Sequence, residues 1–132
     1  MHNHTTTLRV RYGETDQMGY VYHGNYAQFI EIGRLEWLRS LDLSYKEMEE
    51  NGIMLPVYAL NTRFIKPAFY DDVLSIKTTL KKTPSVRIEF IYEIYNQKGE
   101  LITTAETTLV FIDMKSNRPV KCPDYLLRKM NL

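Results

Sequence analysis

The stretch from Leu8 to Leu41, LRVRYGETDQMGYVYHGNYAQFIEIGRLEWLRSL, decides the fold of this chain. It predicts a short strand, a loop that carries one carboxylate, Asp16, and then a long amphipathic helix. We expect Asn25 to be the N-cap of that helix and Gln28 to complete a capping box. A carboxylate near the N-terminal end of a helix suits chemistry at a carbonyl carbon, because the unpaired N–H groups there stabilise the oxygen that becomes negative.

The predicted helix has one wide apolar face. Its apolar positions recur at spacings of three and four residues: Tyr26, Phe29, Ile30, Gly33, Trp37 and Leu41. Such a face must be covered, and we expect a sheet to cover it. Gly33 costs roughly 1 kcal/mol relative to alanine in the middle of a helix, which indicates that the helix lies very close to another element there.

The second half of the chain predicts antiparallel strands. Val57–Ile65 alternates weakly, and three longer segments are rich in β-branched and aromatic residues: Val73–Leu80, Val86–Tyr95 and Leu101–Met114. Asn96–Gly99 predicts a hairpin turn between the last two. One dominant helix followed by these strands is an α+β layout, with the helix packed on one face of the sheet.

The remaining segments predict shorter structures. Leu8 to Tyr12 alternates apolar and basic residues, as a half-buried strand does, and Gly13 is expected to end it. Residues 1–7 are expected to be flexible. Ser44 and Glu47 predict the start of a second helix that stops at Asn51–Gly52, and residues 119–132 form a tail or a short helix with Pro123 at its first position.

Size, charge and cysteine content narrow the class of protein. The 132 residues fit a single domain, 1–132, and the net charge of +1 gives no global attraction to nucleic acid or to an anionic membrane. The single cysteine, Cys122, cannot form an internal disulfide, and no signal peptide or membrane-spanning apolar run is present. These features predict a cytoplasmic protein.

Two blocks of sequence resemble a known family. The first runs from Tyr12 to Tyr26 and continues with Glu31, Arg34 and Glu36; the second combines Asn61–Pro67 with Tyr70–Leu74. These blocks are similar to the hotdog-fold acyl-CoA thioesterase superfamily, in its 4-hydroxybenzoyl-CoA thioesterase-like branch. The resemblance implies a curved antiparallel sheet wrapped around one long central helix. It also implies hydrolysis of acyl-CoA without metal or other cofactor, by a homodimer or possibly a homotetramer with active sites at the subunit interface.

The resemblance also assigns site residues. Asp16 matches the catalytic carboxylate of the family, and the backbone N–H of His23 or Gly24 matches the group that binds the thioester oxygen. Whether Asp16 attacks the thioester or activates water stays open at this point. The expected substrate-binding residues are Tyr22, Asn25 and Tyr26, with Asn61 and Arg63 contributed from the next subunit.

Several charged residues and the cysteine receive weaker assignments. Lys81, Lys82 and Arg87 form a basic cluster that is a candidate for the phosphates of CoA. Glu14 is expected to be a solvated or interface charge, and Glu31, Arg34 and Glu36 are expected to be helix-surface or dimer-contact charges. No motif surrounds Cys122, so it is rejected as a nucleophile.

Two other functions fit the same fold. A hydroxyacyl thioester dehydratase would be expected to place its carboxylate on the helix of the partner subunit, whereas Asp16 precedes the helix, which favours hydrolysis. A non-catalytic module that binds or senses acyl-CoA is the other alternative, because a fold alone does not fix a function. Such a module would retain acyl-CoA, whereas an enzyme would release CoA repeatedly. The acyl group, and whether it is carried by CoA or by a carrier protein, stay open.

Overall fold

The structure, a computed structural model, describes residues 2–132 and contains two antiparallel sheets. The eight strands are β1 Asn3–Arg9, β2 Ile53–Met54, β3 Val57–Phe64, β4 Val73–Leu80, β5 Arg87–Tyr95, β6 Leu101–Val110, β7 Ile112–Asp113 and β8 Arg118–Pro119. The main sheet has the order β1-β4-β5-β6-β3, and the small sheet has the order β2-β7-β8. The three helices are α1 Tyr26–Arg39, α2 Tyr45–Glu50 and α3 Asp124–Lys129. The α+β layout with one dominant helix is confirmed.

Helix α1 packs on the main sheet through the predicted apolar face. Phe29, Ile30 and Trp37 are all buried between the helix and the sheet. A Cβ atom on Gly33 would lie 2.7 Å from both Ile76 Cγ2 and Thr78 Oγ1 on β4. The close approach predicted from this glycine is therefore confirmed, and the partner is the middle of β4.

The amino-terminal segment is a strand, so the expectation of a flexible segment is wrong for residues 3–7. Strand β1 pairs with β4 from Asn3 opposite Thr79 to Arg9 opposite Val73. Its three consecutive threonines are β-branched and suit a pleated edge, which outweighs their polarity. The strand also ends at Arg9, four residues before Gly13. Met1 lies outside the described residues.

The ends of the second helix follow the sequence signals. Ser44 Oγ accepts a hydrogen bond of 3.1 Å from the Glu47 amide at the start of α2. Asn51 is the C-cap, and Gly52 follows with φ +82°, a left-handed conformation that glycine adopts without strain. Both predicted signals are confirmed.

The chain leaves the main sheet earlier than the sequence predicts. The segment Leu101–Met114 breaks after Val110, because Phe111 turns into the core and the next two residues join the small sheet as β7. The hairpin between β5 and β6 is confirmed, since the Gly99 amide donates 3.0 Å to the Asn96 carbonyl. The short helix α3 is present, with Pro123 as its N-cap instead of its first residue. No helix of residues 2–132 combines the length and apolar character needed to cross a bilayer.

Candidate active site

The loop that carries Asp16 is tightly closed. The Asp16 amide donates 2.8 Å to the Tyr20 carbonyl, and the Gly19 amide donates 3.0 Å to the Asp16 carbonyl. Gly19 has φ +81°, which a residue with a side chain rarely adopts. A hydrogen bond of 2.8 Å from the Val21 amide to the Ala68 carbonyl joins the end of the loop to the segment between β3 and β4.

The two carboxylate oxygens of Asp16 have different environments. Oδ1 accepts hydrogen bonds from the Met18 amide at 2.9 Å and the Tyr20 amide at 3.2 Å. Oδ2 has no hydrogen-bond partner among residues 2–132, and the side chain is exposed. One oxygen of Asp16 therefore closes the loop, as aspartates in turns commonly do, while the other oxygen is available to a substrate or to water.

The long helix α1 begins at Tyr26, directly after the predicted cap residue Asn25. A 3-10 turn at residues 23–25 precedes α1, and Asn25 already has helical dihedral angles. The Asn25 amide donates 2.9 Å to the Tyr22 carbonyl, whereas the His23 and Gly24 amides have no hydrogen-bond partner within residues 2–132. These two N–H groups can therefore bind an oxygen that gains negative charge.

Asn25 occupies the N-cap position of α1, as predicted, but the capping hydrogen bond and the capping box expected there are absent. Its side chain makes no cap hydrogen bond and instead donates 2.8 Å to the Glu14 carbonyl. Glu14 is buried, with Oε1 accepting 2.7 Å from the Arg11 amide and Oε2 lying 3.2 Å from Arg11 Nη2. The expectation of a solvated Glu14 is wrong, because this carboxylate closes the 3-10 turn before the Asp16 loop.

An open cavity of about 300 Å³ brings Asp16 and the start of the helix together. Its lining comes from the Asp16 loop, the helix start and the segment after β3: Asp16, Tyr20, Val21, His23, Tyr26, Phe64, Ile65, Lys66 and Pro67. The aromatic rings of Tyr26 and Phe64 meet edge to face at 5.1 Å, and the His23 and Phe64 rings lie 6.5 Å apart. The cavity is thus largely apolar around one carboxylate, one imidazole and one ammonium group.

Three of the predicted site residues line this cavity, and others do not. Asp16, His23 and Tyr26 lie in its wall. Tyr22 is half exposed and packs on the His23 ring at 4.5 Å. Asn61 and Arg63 line a separate depression with residues of β5 and β6. Within one chain, Tyr22, Gly24, Asn25, Asn61 and Arg63 therefore do not line the cavity. The contribution of Asn61 and Arg63 from a second subunit stays a prediction.

The opposite wall of the cavity was missed by sequence analysis. Phe64, Ile65, Lys66 and Pro67 reach it because β3 lies beside β6 at the edge of the main sheet. Lys66 also pairs with Glu100, and that ion pair lowers the pKa of the Glu100 carboxyl. The sequence offered one signal for this cavity wall: its residues lie at the end of a predicted strand, directly before the turn that begins at Pro67.

Arg34 is a core residue, which corrects its assignment as a helix-surface or dimer-contact charge. Its Nε donates 2.7 Å to the Tyr45 hydroxyl and its Nη1 donates 3.2 Å to the Tyr92 hydroxyl, which is 2.7 Å from Thr107 Oγ1. Burial raises the pKa of both phenols, so they accept these bonds as neutral hydroxyl groups. Arg34 thus fixes α1 to the centre of the sheet.

The candidate phosphate-binding cluster lies away from the cavity. Lys81 Nζ is 3.6 Å from Glu106 Oε2, and Lys82 Nζ is 3.5 Å from Glu89 Oε2. Arg87 forms no ion pair among the described residues and lies over the ring of Tyr58. Of the three cations, Arg87 is therefore the one with no carboxylate partner.

Cys122 lies apart from the site. Its side chain is buried, and burial raises the pKa of the thiol to about 12. A thiol held neutral in this way is a poor nucleophile, in agreement with its rejection from the sequence. Within residues 2–132 no group of three or more His, Cys, Asp or Glu side chains is placed to hold a metal ion.

Comparisons with known proteins give one consistent result. Residues 10–130 match the model of the thioesterase-like superfamily. A Bacillus subtilis protein provisionally named an acyl-CoA thioesterase is 35% identical over 92% of this chain and 88% of its own length. The acyl-CoA thioester hydrolase YbgC of Escherichia coli is 30% identical over 88% of this chain and 87% of its own. The crystal structure of a DHNA-CoA thioesterase from Staphylococcus aureus superposes with a TM-score of 0.90 at 38% identity, covering 98% of this chain and 91% of that one.

Proposed function

This chain belongs to the thioesterase-like superfamily, and from that premise we propose that it hydrolyses an acyl-CoA to a free acid and CoA with Asp16 as the catalytic carboxylate. The observation that carries the proposal is the cavity in which the free Oδ2 of Asp16 meets the open N-terminal end of the long helix. The cavity wall is apolar, so it favours the acyl group of a thioester over water.

The helix start supplies the electrostatic part of the mechanism. The thioester oxygen binds the N–H of His23 or Gly24, which places the growing negative charge at the positive end of the helix. A Cβ on Gly24 would lie 2.7 Å from Tyr22 Cε2, so glycine lets the ring of Tyr22 pack tightly beside this turn. One such donor is worth roughly 3 to 4 kcal/mol in the transition state.

Asp16 supplies the remaining step by one of two routes. As a nucleophile, its Oδ2 bonds to the carbonyl carbon, the CoA thiolate leaves, and water then cleaves the mixed anhydride. As a general base, Oδ2 takes a proton from the water that attacks the same carbon. Single turnover in ¹⁸O-labelled water identifies the covalent route if label enters the Asp16 carboxyl, which requires water to attack the aspartyl carbonyl of the anhydride.

Asp16→Asn is the variant that tests the proposal. An asparagine Oδ1 can still accept from the Met18 and Tyr20 amides, so the loop and the unfolding temperature are expected to be kept. Turnover is expected to fall about 100-fold or more, because an amide is neither nucleophile nor base at neutral pH. CoA release is measured with acetyl, medium-chain, palmitoyl and benzoyl thioesters, together with one acyl carrier-protein thioester.

Three results of this assay have distinct meanings. Many turnovers by wild type with few by Asp16→Asn support the proposal and identify the acyl class and carrier. Full activity of the folded variant contradicts the role of Asp16. Tight binding of acyl-CoA without release of CoA by wild type would assign the protein to the binding-module alternative.

The exposed edge of the main sheet supports a homodimer. Strand β3 pairs only with β6 within residues 2–132, and seven of its eight residues are exposed. Tyr58, Leu60 and Phe64 leave large apolar surfaces uncovered, which natural edge strands rarely do. We propose that two copies pair through β3. Since Phe64 is also a wall of the cavity, the second copy would complete the site.

A reducing compartment such as the cytoplasm suits the single thiol.

A further inference from the structure

One residue in the wall of the Asp16 cavity differs in kind from its neighbours. Of the nine described residues that line the cavity, Lys66 alone has a long unbranched side chain, and the other eight carry a ring, a β-branched chain or the short carboxylate of Asp16. A lysine stem commonly lies along apolar surface while its ammonium group stays in water. The Lys66 side chain is 53% exposed, so it lies where the cavity meets solvent.

Both ends of the Lys66 side chain are held in place. At its base, the Lys66 amide donates 3.1 Å to the Ile102 carbonyl, which also accepts 2.9 Å from the Ile65 amide. At its tip, Nζ donates 2.5 Å to Glu100 Oε2. A lysine fixed at both ends loses the rotamer freedom that it would have on an open surface. Its stem therefore forms a fixed part of the cavity wall.

The group that holds the ammonium end is itself fixed by the β5–β6 hairpin. Glu100 Oε1 accepts 2.9 Å from Asn96 Nδ2, and the Glu100 amide donates 3.1 Å to Asn96 Oδ1. The hydrogen bonds from Lys66 and Asn96 lower the pKa of Glu100, so its carboxylate is ionised at neutral pH. An exposed ion pair contributes little stability by itself. This one has a defined geometry because its carboxylate belongs to a hydrogen-bonded turn.

The position of Lys66 suits contact with the acyl group of a bound thioester. With the thioester oxygen at the helix start and the carbonyl carbon at Asp16, the acyl chain and the CoA arm leave that carbon in different directions. The rings of Tyr26 and Phe64, which meet at 5.1 Å, are the apolar surface that favours the acyl chain. Lys66 follows two residues after Phe64, the last residue of β3. A chain that runs along these rings therefore reaches the Lys66 stem.

We propose that the Lys66 side chain, held by Glu100, limits the length of the acyl group that the Asp16 cavity accepts. This role rests on the proposed thioesterase function, since it decides which thioesters are cleaved and not how they are cleaved. Each methylene buried before Lys66 favours binding about fourfold. A longer chain breaks the ion pair or leaves its end in water, so kcat/KM stops rising with length.

The test is a chain-length profile, in which kcat/KM is measured for straight-chain acyl-CoAs from butyryl to palmitoyl. For wild type, kcat/KM is expected to rise with length and then to level off. Lys66→Ala removes the stem beyond Cβ, so the ratio of kcat/KM for the longest to the shortest chain is expected to rise roughly tenfold. Glu100→Gln removes the negative charge that holds the ammonium group and is expected to shift this ratio in the same direction by less. Lys66→Arg can keep the ion pair and is expected to retain the wild-type ratio.

Lys98→Ala is the matched control, because Lys98 is an exposed lysine of the same hairpin that does not line the cavity. Its ratio is expected to equal that of wild type. A wild-type ratio in Lys66→Ala would overturn the inference. An equal loss of kcat/KM at every chain length would do so too, because Lys66 would then act on the part that all these substrates share.

Direct binding keeps the inference testable if the protein proves inactive. Failure of wild type to release CoA from any thioester would count against the thioesterase proposal alone. Dissociation constants for the same acyl-CoAs are then measured by calorimetry for wild type and Lys66→Ala. Tighter binding of the long chains by Lys66→Ala is expected, and equal dissociation constants at every length would reject the role of Lys66.

Discussion

One carboxylate oxygen of Asp16 bonds within its own loop and the other is free, so a single residue can stabilise the fold and also serve the proposed reaction. Oδ1 is held by two amides of its own loop, which restricts rotation of the carboxylate and leaves Oδ2 pointing in a defined direction. A positioned carboxylate needs little reorganisation when a substrate binds. The structure shows the loop-closing use through Oδ1 and leaves Oδ2 free for the catalytic use that the family resemblance implies.

The imidazole of His23 is expected to matter less than its backbone. The ring contacts Tyr22 and Phe64, whereas the N–H that faces a thioester oxygen belongs to the main chain. His23→Ala keeps that N–H, so turnover is expected to fall less than tenfold, well short of the loss in Asp16→Asn. Steady-state kcat measured side by side tests this, and a loss as large as that of Asp16→Asn would show that the imidazole takes part in the reaction.

Cys122 gives a pH-dependent prediction. Burial raises the pKa of its thiol to about 12 from an ordinary value of 9.0, so the folded state favours the neutral form. Its stabilising effect is complete below pH 9 and is lost as the pH rises from 9 toward 12. The native protein at pH 8 is expected not to react with a disulfide reagent, and the denatured protein is expected to react with one equivalent. Prompt labelling of the native protein would contradict the buried position of the thiol.

For the helices and strands, the sequence predicted the contacts of residues that share one helix face and missed contacts between segments that are far apart in the chain. The apolar face of α1 and the close approach at Gly33 follow from helical spacing and from the cost of a glycine. The position of Asn25 at the N-cap was predicted, but its capping hydrogen bond is absent because its side chain reaches the Glu14 carbonyl in another segment. Lys66 and its neighbours were missed because their place in the cavity depends on β3 lying beside β6.

Gly33→Ala tests the packing of α1 on the sheet. The added Cβ would meet Ile76 and Thr78 at 2.7 Å, so the helix or strand must shift. Overpacking of this kind costs about 1 to 3 kcal/mol, while alanine recovers only about 1 kcal/mol of helix propensity. The variant is expected to unfold at a lower temperature. Gly13→Ala, whose Cβ would meet nothing within 4 Å, is the control and is expected to unfold like wild type.

Across the whole molecule, the sheet has one edge that a single chain leaves uncovered. Leu60 is 45% exposed on β3, so Leu60→Lys is expected to weaken the proposed dimer and shift the mass measured by light scattering toward one chain. Activity is expected to fall with it, because the same strand reaches the cavity through Phe64. Ile32→Lys changes a similarly exposed residue on the outer side of α1 and is expected to alter neither. A dimeric and fully active Leu60→Lys protein would contradict pairing through β3.

The loop at Asp16 also has a consequence for the history of such proteins. An amide at position 16 satisfies the same two N–H groups as the carboxylate, so the fold exerts little selection between them. A change of the first base of an aspartate codon produces asparagine. On the proposed role of Asp16, one mutation would convert a hydrolase of this design into a stable protein that holds acyl-CoA without cleaving it. A lineage can move from metabolism to ligand sensing by this step without rebuilding its architecture.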